Sequence, residues 1–191
     1  GHPTVGSAFV LANTGAVSSD VQTLVLEETV GPVLVRISRQ ANGQVSQCTF
    51  TSPRNPLSRV QLLAPDQAAA LLSLPLRAIG TLPIAPWSCG VAFLIIPLAS
   101  QQALSECVFD LNVWKTALKD RWAQKVYPIF IDAAKRRVHT RMFMMMGLNP
   151  IEDPATGSAA AALAGYLAAH METRPGYYDW NIVQGEKMGR L

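Results

Sequence analysis

Residues 151–158 bring together side chains that can handle a proton and a small anion. The stretch reads Ile-Glu-Asp-Pro-Ala-Thr-Gly-Ser and runs into four alanines at 159–162. Because proline disfavours a helical conformation at the preceding residue, Asp153 is expected in a turn. Thr156 is a candidate helix cap, and Gly157 allows the backbone to approach a ligand closely. The first-turn N–H groups of the following helix would then face an anion, with Asp153 at the rim.

A similar pattern opens the chain. The segments 3–8 and 154–159 both have Gly-Ser-Ala after a proline and two further residues. Such a repeat at the start of two slim helices suggests an internal duplication. The second helix has no bulky or charged face, so it is predicted to be surrounded by other structure. Two copies facing each other would place two helix N-termini around one cleft.

The composition favours a globular protein without an obvious polyanionic partner. Of 191 residues, 49% are hydrophobic and 15% charged, which indicates a substantial core. The net charge of +3 is too small to argue for nucleic acid or an anionic membrane surface. No apolar run approaches the roughly 20 residues of a membrane-spanning helix. Three scattered cysteines, Cys48, Cys89 and Cys107, predict neither a disulfide framework nor a zinc site and fit a reducing cytoplasm.

Periodicity predicts an α+β chain with two lobes. A helix over 3–12 is followed by strands near 21–27, 33–39 and 44–51. The prolines at 75, 83 and 86 mark an irregular passage, so the lobes are predicted at 1–86 and 87–191. The second lobe is predicted to contain, in order, a strand over 91–97, a short helix over 100–105, a helix over 111–124, a hairpin over 126–144, the helix after Thr156 and a strand over 180–184.

Four motifs stand out along the chain: Gly-His-Pro-Thr at 1–4, Arg-Met-Phe at 141–143, Glu-Asp-Pro-Ala-Thr-Gly-Ser-Ala at 152–159, and Gln184-Gly185 followed by Gly189-Arg190. Together they resemble the phenazine-biosynthesis PhzF-like proteins, which share a fold with diaminopimelate epimerase. The third motif is quite specific, whereas the first alone is not. The resemblance covers the whole sequence.

The resemblance implies two pseudo-symmetric domains, each a twisted, mainly antiparallel sheet wrapped around a central helix. The active site is then expected in the cleft between the two helix N-termini. The sequence starts without methionine and inside a motif, so it is interpreted as a fragment. On this reading an N-terminal segment carrying the family's general acid/base glutamate is missing, and the second lobe ends early.

The resemblance also implies a reaction and a set of site residues. The reaction is cofactor-independent isomerisation, a proton transfer at carbon in a small carboxylate, without a metal. The partners expected are that small carboxylate and a second copy in a cytoplasmic homodimer, with neither nucleic acid nor membrane. The residues carried over are Asp153 and His2 as catalytic groups, with Gly1, Gly157, Ser158 and Thr156 binding the substrate.

Other interpretations of the same residues stay open. Asp153 can simply shape its turn, His2 can be adventitious, and Thr156 and Ser158 can act as caps only. Arg141 is predicted to support the loop before Asp153, and Arg190 either binds a carboxylate or closes the sheet. The alternative function is a catalytically silent protein on the same fold, which binds a small anion or serves as an interaction protein. A two-thiol racemase is disfavoured, because the three cysteines lie outside every motif. His139 and His170 are predicted to be structural.

Overall fold

The computed structural model describes residues 1–29 and 31–190, and it forms two compact units, Gly1–Asn55 and Pro56–Leu191. Helices and strands are mixed in both units, which confirms the α+β class. The units divide earlier in the chain than the predicted lobes 1–86 and 87–191, because residues 57–86 pack within the second unit. The lobe boundary therefore stays a prediction. Val30 and Leu191, which those lobes include, lie outside the described residues.

The first unit is one helix packed on a three-stranded antiparallel sheet. Ala8 and Ala12 on the inner face of the helix pack against alternate residues of the sheet, including Val35 and Ile37. Period-two burial in the central strand reflects one covered and one open sheet face. The elements are α1 His2–Asn13, β1 Thr23–Glu28, β2 Gly31–Arg39 and β3 Val45–Phe50, in sheet order β1-β2-β3. The helix and the three strands were predicted from the sequence.

The outer face of α1 is not covered within this unit. Phe9, Val10 and Leu11 are exposed by 39%, 57% and 36% of their surface. Although these side chains are apolar, α1 is only partly buried within its own unit.

The second unit is built on an eight-stranded mixed sheet. The strands are β4 Leu57–Ser58, β5 Ala85–Ser88, β6 Ala92–Pro97, β7 Lys125–Asp132, β8 Arg137–Thr140, β9 Phe143–Met146, β10 Asn149–Glu152 and β11 Asn181–Gln184; the helices are α2 Pro65–Leu71, α3 Gln101–Glu106, α4 Leu111–Ala117 and α5 Gly157–His170. The sheet order is β10-β9-β7-β6-β5-β4, and β8 pairs with both β7 and β11. The pairs β6–β7 and β8–β11 are parallel, and the others are antiparallel.

Both faces of this sheet are covered by helices. Phe93 and Ile95 of β6 pack under α5 beside Leu163, whereas Leu94 and Ile96 face the opposite core with α2, α3 and α4. Fully burying a side chain of this size contributes roughly 1.5–3 kcal/mol. This double coverage explains why β6 is a continuous apolar run. It also fixes α5, whose N-terminus carries the candidate site.

Gly165 lets α5 lie close to its neighbours. A Cβ atom at this position would stand 2.3 Å from Cβ of Pro56 and 2.7 Å from the ring of Trp87. On the side of α5 opposite its buried face, Ala164 and Ala168 are exposed within the unit. The prediction that other structure surrounds this helix on every side is therefore not met there.

Candidate active site

Helix α5 presents free backbone donors at its N-terminus. The N–H groups of Ala159 and Ala160 bond to the carbonyl of Thr156 at 3.0 and 3.1 Å. The N–H groups of Gly157 and Ser158 have no acceptor in the part of the chain that the structure describes. Gly157 is exposed and Ser158 half-buried. The helix dipole adds positive potential at this point, so these two N–H groups suit an anion.

Asp153 and Thr156 are joined across the turn that leads into this helix. The Thr156 hydroxyl donates to Oδ2 of Asp153 at 2.5 Å. Thr156 does occupy the N-cap position, as predicted, but its side chain makes no capping bond to the helix. The hydroxyl instead orients the carboxylate. The N–H of Asp153 bonds to the carbonyl of Met142 at 3.0 Å, which ties the turn to the sheet.

Gln184, the last residue of β11, holds the same turn from the other side. Its Nε2 donates to the carbonyl of Asp153 at 2.7 Å and to Oγ1 of Thr156 at 2.9 Å. Its Oε1 accepts from the N–H of Thr156 and from the hydroxyl of Tyr127, both at 3.3 Å. Burial raises the pKa of Tyr127 to about 12, so this phenol stays a neutral donor. Sequence reasoning did not assign a role to Gln184 or Tyr127.

A tight turn after Gln184 packs behind the Asp153 loop. Gly185 and Gly189 have φ of 90° and 64° and flank a 3-10 turn at Glu186–Met188. The backbone N–H of Arg190 returns to the carbonyl of Gly185 at 3.1 Å. Arg190 itself is exposed, so in this structure its backbone closes the turn.

Glu186 in this turn is paired with a buried histidine. Nδ1 of His139 lies 2.7 Å from Oε2 of Glu186, and only 9% of the His139 side chain is exposed. This contact ties the turn to β8 and agrees with the structural role predicted for His139. A cavity of about 310 Å³ opens beside the pair, lined in part by Thr140, Arg141 and Lys187.

Arg141 fixes the residue before Asp153, as predicted. Its Nε and Nη2 reach the two carboxylate oxygens of Glu152 at 2.8 and 2.7 Å. Its Nη1 donates to the carbonyls of Leu104 and Cys107 at 3.1 and 2.6 Å. Such a bidentate, charge-assisted pair is geometrically specific. Burial raises the pKa of the neighbouring Cys107 thiol to about 11, which keeps it protonated near neutral pH.

The first unit places Gly1 immediately before α1 and His2 at its first residue, both exposed. The Thr4 hydroxyl donates to Oε1 of Glu28 at 2.5 Å. The sequence repeat is not matched at the helix ends, since Gly6 and Ser7 lie inside α1 whereas Gly157 and Ser158 begin α5. The expectation that Gly-Ser-Ala marks both helix mouths is therefore wrong for the first copy. Proline explains the difference, because Pro3 fits the first helical turn whereas Pro154 stands in the preceding loop.

The described residues include no group of three or more His, Cys, Asp or Glu side chains arranged to hold a metal ion. Over the same residues, no helix is long and apolar enough to cross a membrane.

A family model supplies the assignment. The model described as phenazine biosynthesis-like protein, PhzC-PhzF, matches residues 1–191. The chain belongs to the PhzF family. The resemblance drawn from the four motifs is thereby confirmed.

Named relatives of this PhzF-family chain include isomerases. It is 37% identical over 198 residues to an uncharacterized isomerase of Mesorhizobium japonicum, covering 100% of the chain and 64% of the relative. It is 33% identical over 190 residues to trans-2,3-dihydro-3-hydroxyanthranilate isomerase of Pseudomonas aeruginosa, covering 100% of the chain and 62% of that protein. The chain thus spans less than two thirds of the length of these relatives.

Solved structures show the same fold. A PhzF-family phenazine biosynthesis protein of Bacillus anthracis matches with a TM-score of 0.83 at 22% identity, over 99% of the chain and 64% of that protein. A predicted epimerase from Pseudomonas aeruginosa matches with a TM-score of 0.75 at 22% identity, over 99% and 63%.

Of the six predicted site residues, four lie together at the start of α5 in the second unit: Asp153, Thr156, Gly157 and Ser158. Gly1 and His2 lie at the start of α1 in the first unit. Their roles as site residues stay a prediction. Gln184 opens the last of the four motifs, and this position is the signal by which it could have been found. Its four hydrogen bonds join segments that are distant in the sequence, so its role was missed.

Proposed function

We propose that this PhzF-family chain is part of an isomerase that moves a proton at carbon in a small carboxylate, using protein groups without a metal or organic cofactor. The observation that carries the proposal is the position of Asp153. Its carboxylate accepts a hydrogen bond from Thr156, the N-cap residue of a 14-residue helix whose first two N–H groups are free. The isomerase names of the relatives support the same reaction class.

The two oxygens of Asp153 can have separate tasks. Oδ2 accepts the Thr156 hydroxyl, whereas Oδ1 has no hydrogen-bond partner among residues 1–29 and 31–190. One oxygen therefore orients the carboxylate, and the other is available to take or return a proton.

The start of α5 is proposed to hold the substrate's carboxylate. The N–H groups of Gly157 and Ser158 would donate to its oxygens, and the Ser158 hydroxyl adds a third donor. Charge at a helix N-terminus contributes about 0.3–1 kcal/mol when exposed and up to about 2 kcal/mol when partly buried. This binding contribution is made in the ground state too, so its loss should mainly raise KM.

Gly1 is proposed to bind substrate through its backbone, and His2 is proposed as a second acid/base group. Both lie at the start of α1 and are exposed, which supports these roles. A homodimer in the cytoplasm also stays a proposal, which sedimentation of the protein would check for oligomeric state.

The test is deuterium incorporation from solvent into trans-2,3-dihydro-3-hydroxyanthranilate, the compound in a relative's name, and into a panel of other small carboxylates. We expect incorporation by the protein and a loss of about 100-fold or more in Asp153→Asn, the range typical for removal of an acid/base group. Asp120→Asn is the matched control, because Asp120 is exposed and outside the site.

Unchanged exchange in Asp153→Asn would remove Asp153 from the mechanism. No exchange by the parent protein, together with calorimetric binding of the carboxylates, would instead favour the silent anion-binding protein.

A further inference from the structure

Gln184 links a buried phenol to the candidate catalytic turn. It ends β11, where it lies opposite Thr140 of the parallel strand β8. The side chain is half-buried, and its amide makes two contacts as donor and two as acceptor. An amide fixed at both ends can control the direction of the hydrogen bonds around it.

The orientation of this amide follows from its partners. The Asp153 carbonyl can only accept, so the atom 2.7 Å away must be the NH₂ group. The Thr156 N–H can only donate, so the atom 3.3 Å away must be the oxygen. The Tyr127 hydroxyl then donates to the same oxygen. No flipped amide satisfies these contacts.

The orientation of the Gln184 amide also fixes the direction of the hydrogen bond made by Thr156. Both Nε2 hydrogens of Gln184 are used, one on the Asp153 carbonyl and one on Oγ1 of Thr156. Since Oγ1 accepts from Gln184, its own hydrogen is free for Oδ2 of Asp153 at 2.5 Å. The hydrogen bonds thus run in one direction, from Tyr127 through Gln184 and Thr156 to the carboxylate.

We propose that Gln184 is a positioning residue, which sets the direction of the Thr156 hydroxyl and so holds Asp153 in the orientation used for proton transfer. This inference rests on the proposed function, because it assigns a task to the carboxylate of Asp153. It does not require Gln184 to contact the substrate.

Gln184→Glu tests this hydrogen-bond direction, because the side chain keeps its shape while the Nε2 donor is lost. A carboxylate at 184 accepts the Thr156 hydroxyl, which then leaves Asp153. We expect kcat to fall about 10- to 100-fold. KM should also rise, because the added negative charge lies close to the α5 donors. Thr156→Val removes the hydroxyl without a change of shape and should lower kcat to a similar extent.

The double variant separates positioning from general damage. Residues that act as one unit are non-additive, so Gln184→Glu should cost little further kcat once Thr156→Val is present. Gln124→Glu, on an exposed residue of the same unit, should leave kcat unchanged. Additive losses of kcat in the double variant, or a loss confined to KM, would overturn the inference.

A crystal structure of Gln184→Glu gives a readout that does not need turnover. We expect the Oγ1–Oδ2 distance between Thr156 and Asp153 to lengthen beyond about 3.5 Å, the limit of a hydrogen bond. If the parent protein exchanges no deuterium, the proposed function fails, and this distance alone decides the role of Gln184. A retained short contact would refute that role.

Discussion

Replacing Gly185 with alanine should damage the candidate site through the backbone. At φ 90° a Cβ atom would stand 2.2 Å from the carbonyl oxygen of Arg190 and 2.9 Å from that of Pro154. Neither oxygen belongs to a side chain that can rotate away, so the turn or the Asp153 loop must shift. Left-handed backbone costs a residue with a Cβ about 1–2 kcal/mol. Forcing atoms into an occupied space adds roughly 1–3 kcal/mol. We therefore expect Gly185→Ala to lower the free energy of unfolding by about 2–4 kcal/mol, within the sum of those two ranges.

Gly189→Ala is the matched control for this prediction. Gly189 flanks the same turn with φ 64°, and nothing stands within 4 Å of a Cβ placed there. It should show the backbone cost alone, about 1–2 kcal/mol. Urea unfolding gives both free energies, and deuterium incorporation gives the effect on the site, which should be large only in Gly185→Ala. Equal losses of stability in the two variants would show that the close approach to Pro154 and Arg190 is not real.

Three further predictions concern the core. Gly165→Ala should destabilise the protein by about 1–3 kcal/mol through overpacking. Gly6→Ala should instead stabilise α1 by roughly 0.5–1 kcal/mol, because nothing stands within 4 Å of a Cβ atom placed there. Thermal unfolding of both variants checks these opposite signs, and a gain of stability in Gly165→Ala would contradict the close packing. Gln61→Leu should cost about 1–3 kcal/mol, because the buried amide donates to the carbonyl of Ala123 and accepts from its N–H, both at 2.9 Å; an unfolding midpoint equal to that of the parent would argue against these bonds. Burial raises the pKa of the Cys107 thiol from 9.0 to about 11. The stability that the neutral thiol contributes to the folded state is therefore fully present below pH 9 and is lost as the pH rises to 11. The free energy of unfolding should fall more steeply over that window in the parent than in Cys107→Ala, and identical slopes would refute the shift.

The parts of the site that depend on neighbouring residues could be predicted from the sequence. Pro154 and Gly157 act on the backbone next to them, so the turn and the start of α5 follow from local rules. The support of the loop by Arg141 followed from its place in a motif.

Long-range contacts explain most of what was missed. The Thr156 hydroxyl turns to Asp153 because Gln184 occupies its lone pair, which no local pattern shows. The helix predicted over 111–124 ends at Ala117, and the segment after it is tied by bonds to Gln124 and Ala123. Helical periodicity in the sequence does not reveal such hydrogen bonds.

The proline-rich passage before residue 87 was also misjudged. Proline usually argues against a central strand, yet Pro86 lies in β5 between β4 and β6. Its carbonyl accepts the Ser58 hydroxyl at 2.8 Å, so the strand keeps a partner there. Helix α2 begins at Pro65, because proline is favourable in the first turn.

The parallel pairing of β8 with β11 has a consequence for the order of folding. These strands are separated along the chain by β9, β10 and α5, so their pairing must close a long loop. Contacts of such sequence separation form slowly compared with a hairpin or a helix. During synthesis the Asp153 turn and α5 are complete before Gln184 emerges from the ribosome. The geometry of the candidate site is therefore expected to mature late, as a kinetic step that follows the formation of α5.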